Sequence, residues 1–153
     1  VFDPDDYTRK MIGSGLRNAK YHMWGLKTSY ESRREDVFED FSRRFEKKLE
    51  HLKFKTLRET IRELGHEKRR IDVFKIDCEG CEWRTYKDWV MDPDVDLRQV
   101  FIEVHNFVPV TNQMFEDLHR QGYVLFHKEP NIQWCKGSCV EFSFLKLHKS
   151  FFE

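Results

Sequence analysis

Hydrophobic and polar positions along this chain switch between a two-residue and a helical period, and the sharpest switch falls near its middle. Val73, Phe74 and Ile76 are β-formers interrupted only by Lys75, so the run from Ile71 predicts a central strand. The chain then turns abruptly polar at Asp77-Cys-Glu-Gly-Cys-Glu82, with Gly80 suited to a sharp strand-to-helix turn. A short helix is predicted over 84–90, broken by Asp92-Pro93-Asp94. Gln99-Val-Phe-Ile-Glu-Val-His105 reads as a second buried parallel strand that also ends in polar residues, Glu103, His105 and Asn106.

The remaining elements follow from the same patterns. Val1-Phe2 reads as the end of a strand that stops on Asp3 before Pro4, and a short helix follows from Asp6 to Met11, ended by Gly13-Ser14-Gly15. Lys20 to Trp24 reads as a strand closed by Gly25. Over 27–55 the residues Val37, Phe38, Phe41, Phe45 and Leu49 recur at helical spacing, which predicts a long charged amphipathic helix. Thr56-Leu-Arg-Glu59 is a capping box, Leu57, Ile61 and Leu64 form the buried stripe of its helix, and Gly65 is the C-cap. Further on, Thr111 is the expected N-cap of a helix stopped by Gly122. Strands are predicted over 123–128 and 139–147, joined by a loop over 129–138. The order is α/β: one Rossmann-like domain over 1–153, a mostly parallel sheet with helices on both faces and a C-terminal antiparallel β-hairpin.

Composition narrows the function. Fourteen Phe and four Trp supply a core in a chain of 153 residues. Lys plus Arg equals Asp plus Glu at 27 each, which argues against a nucleic-acid partner. The balance hides an asymmetry: residues 41–70 carry eleven basic against five acidic residues, and residues 71–120 the reverse. No apolar run reaches the roughly 20 residues of a membrane span.

Ligands of parallel sheets bind outside the carboxyl ends of the strands. Asp77, Glu79 and Glu82 follow one such end and Glu103 and His105 another, so an acidic cleft is expected there. Glu82 alone reads as a helix-capping or solvated acid. His105 is the best general base by intrinsic pKa, with Asp77 or Glu79 orienting it or the substrate. Alternatively Asp77, Glu103 and His105 hold a divalent metal that activates a hydroxyl. The four cysteines, Cys78-x-x-Cys81 and Cys135-x-x-x-Cys139, are expected at one edge of the sheet. Their spacing is compatible with disulfides, which would point to the secretory pathway, with a zinc site of all four thiolates, or with free thiols.

Lys75-Ile-Asp-Cys-Glu-Gly-Cys-Glu82 resembles the Lys-Ile-Asp-x-Glu-Gly-x-Glu signature of FkbM-type S-adenosylmethionine-dependent methyltransferase domains and their metazoan methyltransferase-like relatives. The early Phe-Asp-Pro, the capped helix before the signature, Val100-Phe-Ile-Glu-Val104 and the closing Glu141-Phe-Ser-Phe-Leu145 strand fit the same order. The resemblance implies an incomplete class I methyltransferase fold with residues 27–55 as a charged insertion. It implies that Asp3 binds the cofactor's ribose, that Trp24, Gly25 and Leu26 lie beside the adenine, and that Asp77 and Glu79 line the methyl-transfer cleft, Asp77 also beside the cofactor. Glu103 and His105 would face that cleft. The family's first strand and Gly-rich turn would lie before Val1, so the chain reads as a C-terminal part. Two functions follow as expectations. One is S-adenosylmethionine-dependent O-methyl transfer to a small-molecule or glycan-like acceptor. The other is a non-catalytic Rossmann-like module that binds a partner or a metal.

Overall fold

The computed structural model describes residues 1–2, 19–29, 53–78, 80–105 and 110–151. The chain divides into two compact units, Val1–Thr56 and Leu57–Glu153.

In the first unit, strand β1 (Gly25–Leu26) pairs in parallel with β2 (Phe54–Lys55). Phe2 makes an isolated parallel bridge with His22. Two expectations are corrected here. The strand expected over 20–24 is present only as the His22 bridge and β1 starts at Gly25, the residue expected to close it, and Phe54–Lys55 is extended where the charged helix was expected to end. Both follow from ladder bonding: Gly25 N–H donates to the Lys53 carbonyl at 2.9 Å and Lys27 N–H to that of Lys55 at 3.0 Å. The rest of that helix, the helix over 6–11 and the Gly13-Ser14-Gly15 turn lie outside the described residues.

The second unit is built on a four-stranded sheet. Its strands are β3 (Ile71–Ile76), β4 (Leu97–His105), β5 (Tyr123–Asn131) and β6 (Cys139–Lys146), in the spatial order β3-β4-β6-β5. β3 and β4 are parallel, and β6 runs antiparallel to both of its neighbours, so the closing hairpin slots its last strand between β4 and β5. This is a Rossmann-like α/β arrangement. Pro130 is accommodated because β5 is an edge strand, where a missing N–H costs no ladder bond.

Helix α1 (Leu57–Glu63) buries Leu57 and Ile61, while Leu64, expected in the same stripe, lies half-buried just past its end, and the helix stops at the Gly65 cap that the sequence predicts. Gly65 lies at φ +67°, with His66 N–H donating to the Ile61 carbonyl and Gly65 N–H to that of Arg62, a Schellman cap. Helix α2 spans Glu82–Val90 and α3 spans Val110–Arg120. Helix α2 therefore starts two residues earlier than expected, and Thr111 lies inside α3 rather than capping it. Both helices pack on one face of the sheet. Trp89 of α2 meets Phe74 of β3, and Phe115 of α3 meets Phe142 and Phe144 of β6 edge-on. Val100, Ile102, Val104, Met114 and Leu118 are wholly buried there. The β5–β6 connection carries a helical turn, α4 (Ile132–Cys135), where a loop was expected, because β5 continues to Asn131 and Asn131 caps the turn by accepting from Trp134 N–H. Lys149–Phe151 closes the described chain as a 3₁₀ turn.

Candidate functional site

Strand alternation makes the carboxyl end of β4 two-faced. Val100, Ile102 and Val104 point into the core, so Glu103 and His105 point to the opposite face. Both are nevertheless buried, and each has an organised set of partners.

His105 is held by the first two residues of α2. Glu82 has no exposed surface. Its Oε1 accepts the His105 backbone N–H at 2.9 Å and lies 2.9 Å from His105 Nδ1; its Oε2 accepts Gly80 N–H at 3.0 Å. A carboxylate is an acceptor only, so the ring contact is Nδ1–H donating to Glu82. Such donors are what a buried carboxylate requires. Trp83 Nε1–H donates to the His105 carbonyl at 2.9 Å, fixing the same residue from its other side. This arrangement depends on the turn: Gly80 at φ +106° lets the chain leave β3 and enter α2 fast enough to bring Glu82 back over β4.

With Nδ1 fixed, Nε2 faces Asp77, whose Oδ1 is 3.8 Å away. The Asp77 side chain is 44% exposed against 8% for His105, so Asp77 is the member of the group that meets solvent. Glu79 lies outside the described residues, as does Asp3. Trp24, Gly25 and Leu26 belong to the first unit. There Trp24 packs with Phe2 and His22, ring centroids 5.6 and 4.7 Å away, and Lys55 Nζ stands 3.8 Å from its ring centroid.

Glu103 accepts from Asn131 Nδ2 at 2.8 Å, and Lys75 pairs with Glu141, the residue opposite Glu103 on β6. The cysteines are paired locally, Cys78 with Cys81 and Cys135 with Cys139. The four-thiolate zinc site is thereby corrected. The donor atoms form two separate groups, Cys78, Cys81 and Glu82 in one, and Glu103, His105, Cys135 and Cys139 in the other. Asp77 joins neither group, so the expected Asp77, Glu103 and His105 metal set is not gathered. Each cysteine pair is confined to its own strand-end connection.

A family model described as a methyltransferase domain matches residues 1–146. The chain belongs to this family. No curated protein and no solved structure matches it. Read as a methyltransferase domain, the second unit carries its acidic residues at the carboxyl ends of β3 and β4, the edge where ligands of such sheets bind. No helix among the described residues is long and apolar enough to cross a membrane.

Sequence reasoning undervalued Glu82. It looked like a capping acid, and it does accept one turn N–H, but its main partner is His105. The local sequence carried no signal for this, because the burial of Glu82 is set by a partner 23 residues away.

Proposed function

We propose that this methyltransferase domain is of the FkbM kind and moves the methyl group of S-adenosylmethionine to a hydroxyl oxygen of a small-molecule or glycan-like acceptor. The single observation that carries the reading is the Glu82–His105 pair, which fixes one imidazole nitrogen and turns the other toward exposed Asp77. A sulfonium cofactor supplies an electrophilic methyl carbon. Asp77 orients the acceptor by accepting from it. His105 Nε2 would take the proton of the acceptor hydroxyl, leaving its oxygen to accept the methyl group the cofactor would supply. Glu82 holds the imidazole and offsets the charge that it gains. The family resemblance assigns Trp24 to the adenine and Asp3 to the ribose. Exposed Trp134, at the turn beside Asn131, offers a flat apolar surface for a sugar ring. The two disulfides support an oxidising compartment such as the secretory pathway.

The test is calorimetric titration of S-adenosylhomocysteine into the full chain and its variants. One-to-one binding, weakened about tenfold or more by Asp3→Ala or Trp24→Ala and little changed by His105→Ala, is the expected result. Absence of binding to a folded chain would sink the reading and leave a non-catalytic module.

A further inference from the structure

We propose that this chain, when its Cys135–Cys139 disulfide is reduced, binds one zinc ion through Glu103, His105, Cys135 and Cys139. The four residues come from three places that the fold brings together. Glu103 and His105 are two apart on β4 and share a face; Cys139 lies directly opposite His105 on β6; Cys135 ends the helical turn before it. One donor atom from each lies within 4.8 Å of every other. A tetrahedral zinc ion with bonds of about 2.0–2.3 Å holds its ligands about 3.3–3.8 Å apart, so side-chain rotation suffices to close the group.

Two thiolates, an imidazole and a carboxylate suit zinc, because the sulfurs are too soft for magnesium or calcium. The surroundings match a metal site beyond its ligands. His105 Nδ1 donates to buried Glu82, the carboxylate–histidine arrangement that directs Nε2 at a metal. Asn131 Nδ2 donates to Glu103 Oε1 and fixes that carboxylate, and Cys135 Sγ is 3.7 Å from the same oxygen. Glu103, His105 and Cys139 are buried and Cys135 is half-buried, so most of the ligand set is screened from solvent. Four protein ligands leave no open position, which makes the site structural.

A dithiol reductant gives up two electrons and two protons, becomes a disulfide, and leaves Cys135 and Cys139 as thiols. Zinc then displaces both thiol protons, which pass to solvent. The zinc-bound form occupies His105 Nε2, so it excludes the proton transfer assigned to that nitrogen above; the metal test does not depend on that assignment.

The experiment titrates zinc against a chromophoric chelator, and cobalt(II) as a spectroscopic substitute, into the full chain after reduction and anaerobic removal of the reductant. Expected are one metal per chain and a thiolate-to-cobalt charge-transfer band with tetrahedral ligand-field absorption. Cys78→Ser/Cys81→Ser retains both. Cys135→Ser/Cys139→Ser loses the band, and Glu82→Ala weakens zinc binding about 10–100-fold. The oxidised wild-type chain serves as a control free of any folding defect, and it shows no such band. No charge-transfer band in the reduced wild type overturns the proposal. So does a band that survives Cys135→Ser/Cys139→Ser or disappears in Cys78→Ser/Cys81→Ser with the fold intact by circular dichroism.

Discussion

Glu82 and His105, 23 residues apart in the chain, meet twice through one oxygen: Glu82 Oε1 is 2.9 Å from both the backbone nitrogen and the ring Nδ1 of His105. The pair ties the start of α2 to the end of β4 and fixes which imidazole nitrogen faces Asp77. Removing the carboxylate leaves two buried N–H groups at His105 without their acceptor, besides Gly80 N–H. Glu82→Ala is therefore expected to destabilise the chain by about 3 kcal/mol, with Glu82→Gln costing less because an amide oxygen still accepts. Urea unfolding followed by circular dichroism measures both. Equal stability of Glu82→Ala and wild type would mean that the pair holds nothing together.

How far the fold was legible depended on how far periodicity decided it. β3, β4, the closing hairpin and the capped α1 were readable because Val, Ile and Phe clusters and the Gly65 cap report local preferences directly. The order β3-β4-β6-β5 was not readable, because a hairpin signal does not say which of its two strands meets β4. Two-residue strands such as Gly25–Leu26 and Phe54–Lys55 were not readable, since a pair of residues has no period and depends on its partner strand. At the site, Asp77 and His105 were visible as polar residues ending apolar strands. The role of Glu82 was hidden, because burial of a carboxylate is set by the partner that reaches it, here an imidazole 23 residues away. The cysteine pairing was hidden for a related reason: short spacing permits disulfides, zinc and thiols alike.

Tyr86 and Tyr123 set the alkaline limit of stability. Burial, then the nearby charge of Asp117 and a hydrogen bond to it at 3.3 Å, push the Tyr86 hydroxyl up to about 12. Burial, then the charge of Asp96, push Tyr123 to about 12, while its hydroxyl donates to the Leu97 carbonyl at 2.7 Å. In the unfolded chain both phenols ionise near 10. Their contribution is complete below about pH 10 and is lost as pH rises toward 12. Spectrophotometric titration of wild type against Tyr86→Phe/Tyr123→Phe is expected to show the variant losing two phenols that ionise near 12, and the variant to flatten the fall in denaturant midpoint over that range. Ordinary ionisation of the two phenols that the variant lacks would contradict this account.

At the acid end the controlling pair is Arg58 and Asp92, which joins α1 to the turn after α2. Arg58 Nε donates to Asp92 Oδ2 at 2.8 Å and a terminal nitrogen donates to Oδ1. These bonds hold Asp92 below the usual carboxylate range, against partial burial and with help from Asp94 N–H. A depressed folded value means that the contribution is complete above about pH 4 and is lost as pH falls through that lowered value. Arg58→Ala should lower the urea midpoint at neutral pH and weaken its dependence on pH in acid. The same acid dependence in wild type and variant would show that Arg58 does not set the Asp92 ionisation.

The core prediction rests on Trp89, which is 1% exposed, meets Phe74 at 5.5 Å between ring centroids, and donates from Nε1 to Thr85 Oγ1 at 3.3 Å. Truncation removes a large apolar surface between α2 and β3 and leaves a cavity that neighbouring strands cannot fill, because β4 beside them is held on both edges. Trp89→Ala is expected to cost about 3–5 kcal/mol, while Trp89→Phe keeps most of the ring contact and loses the donor to Thr85. The two variants separate packing from the hydrogen bond when their urea midpoints are compared. If Trp89→Phe is as damaging as Trp89→Ala, the Thr85 bond and ring size outweigh burial, and the helix is held to the sheet by shape rather than by apolar area alone.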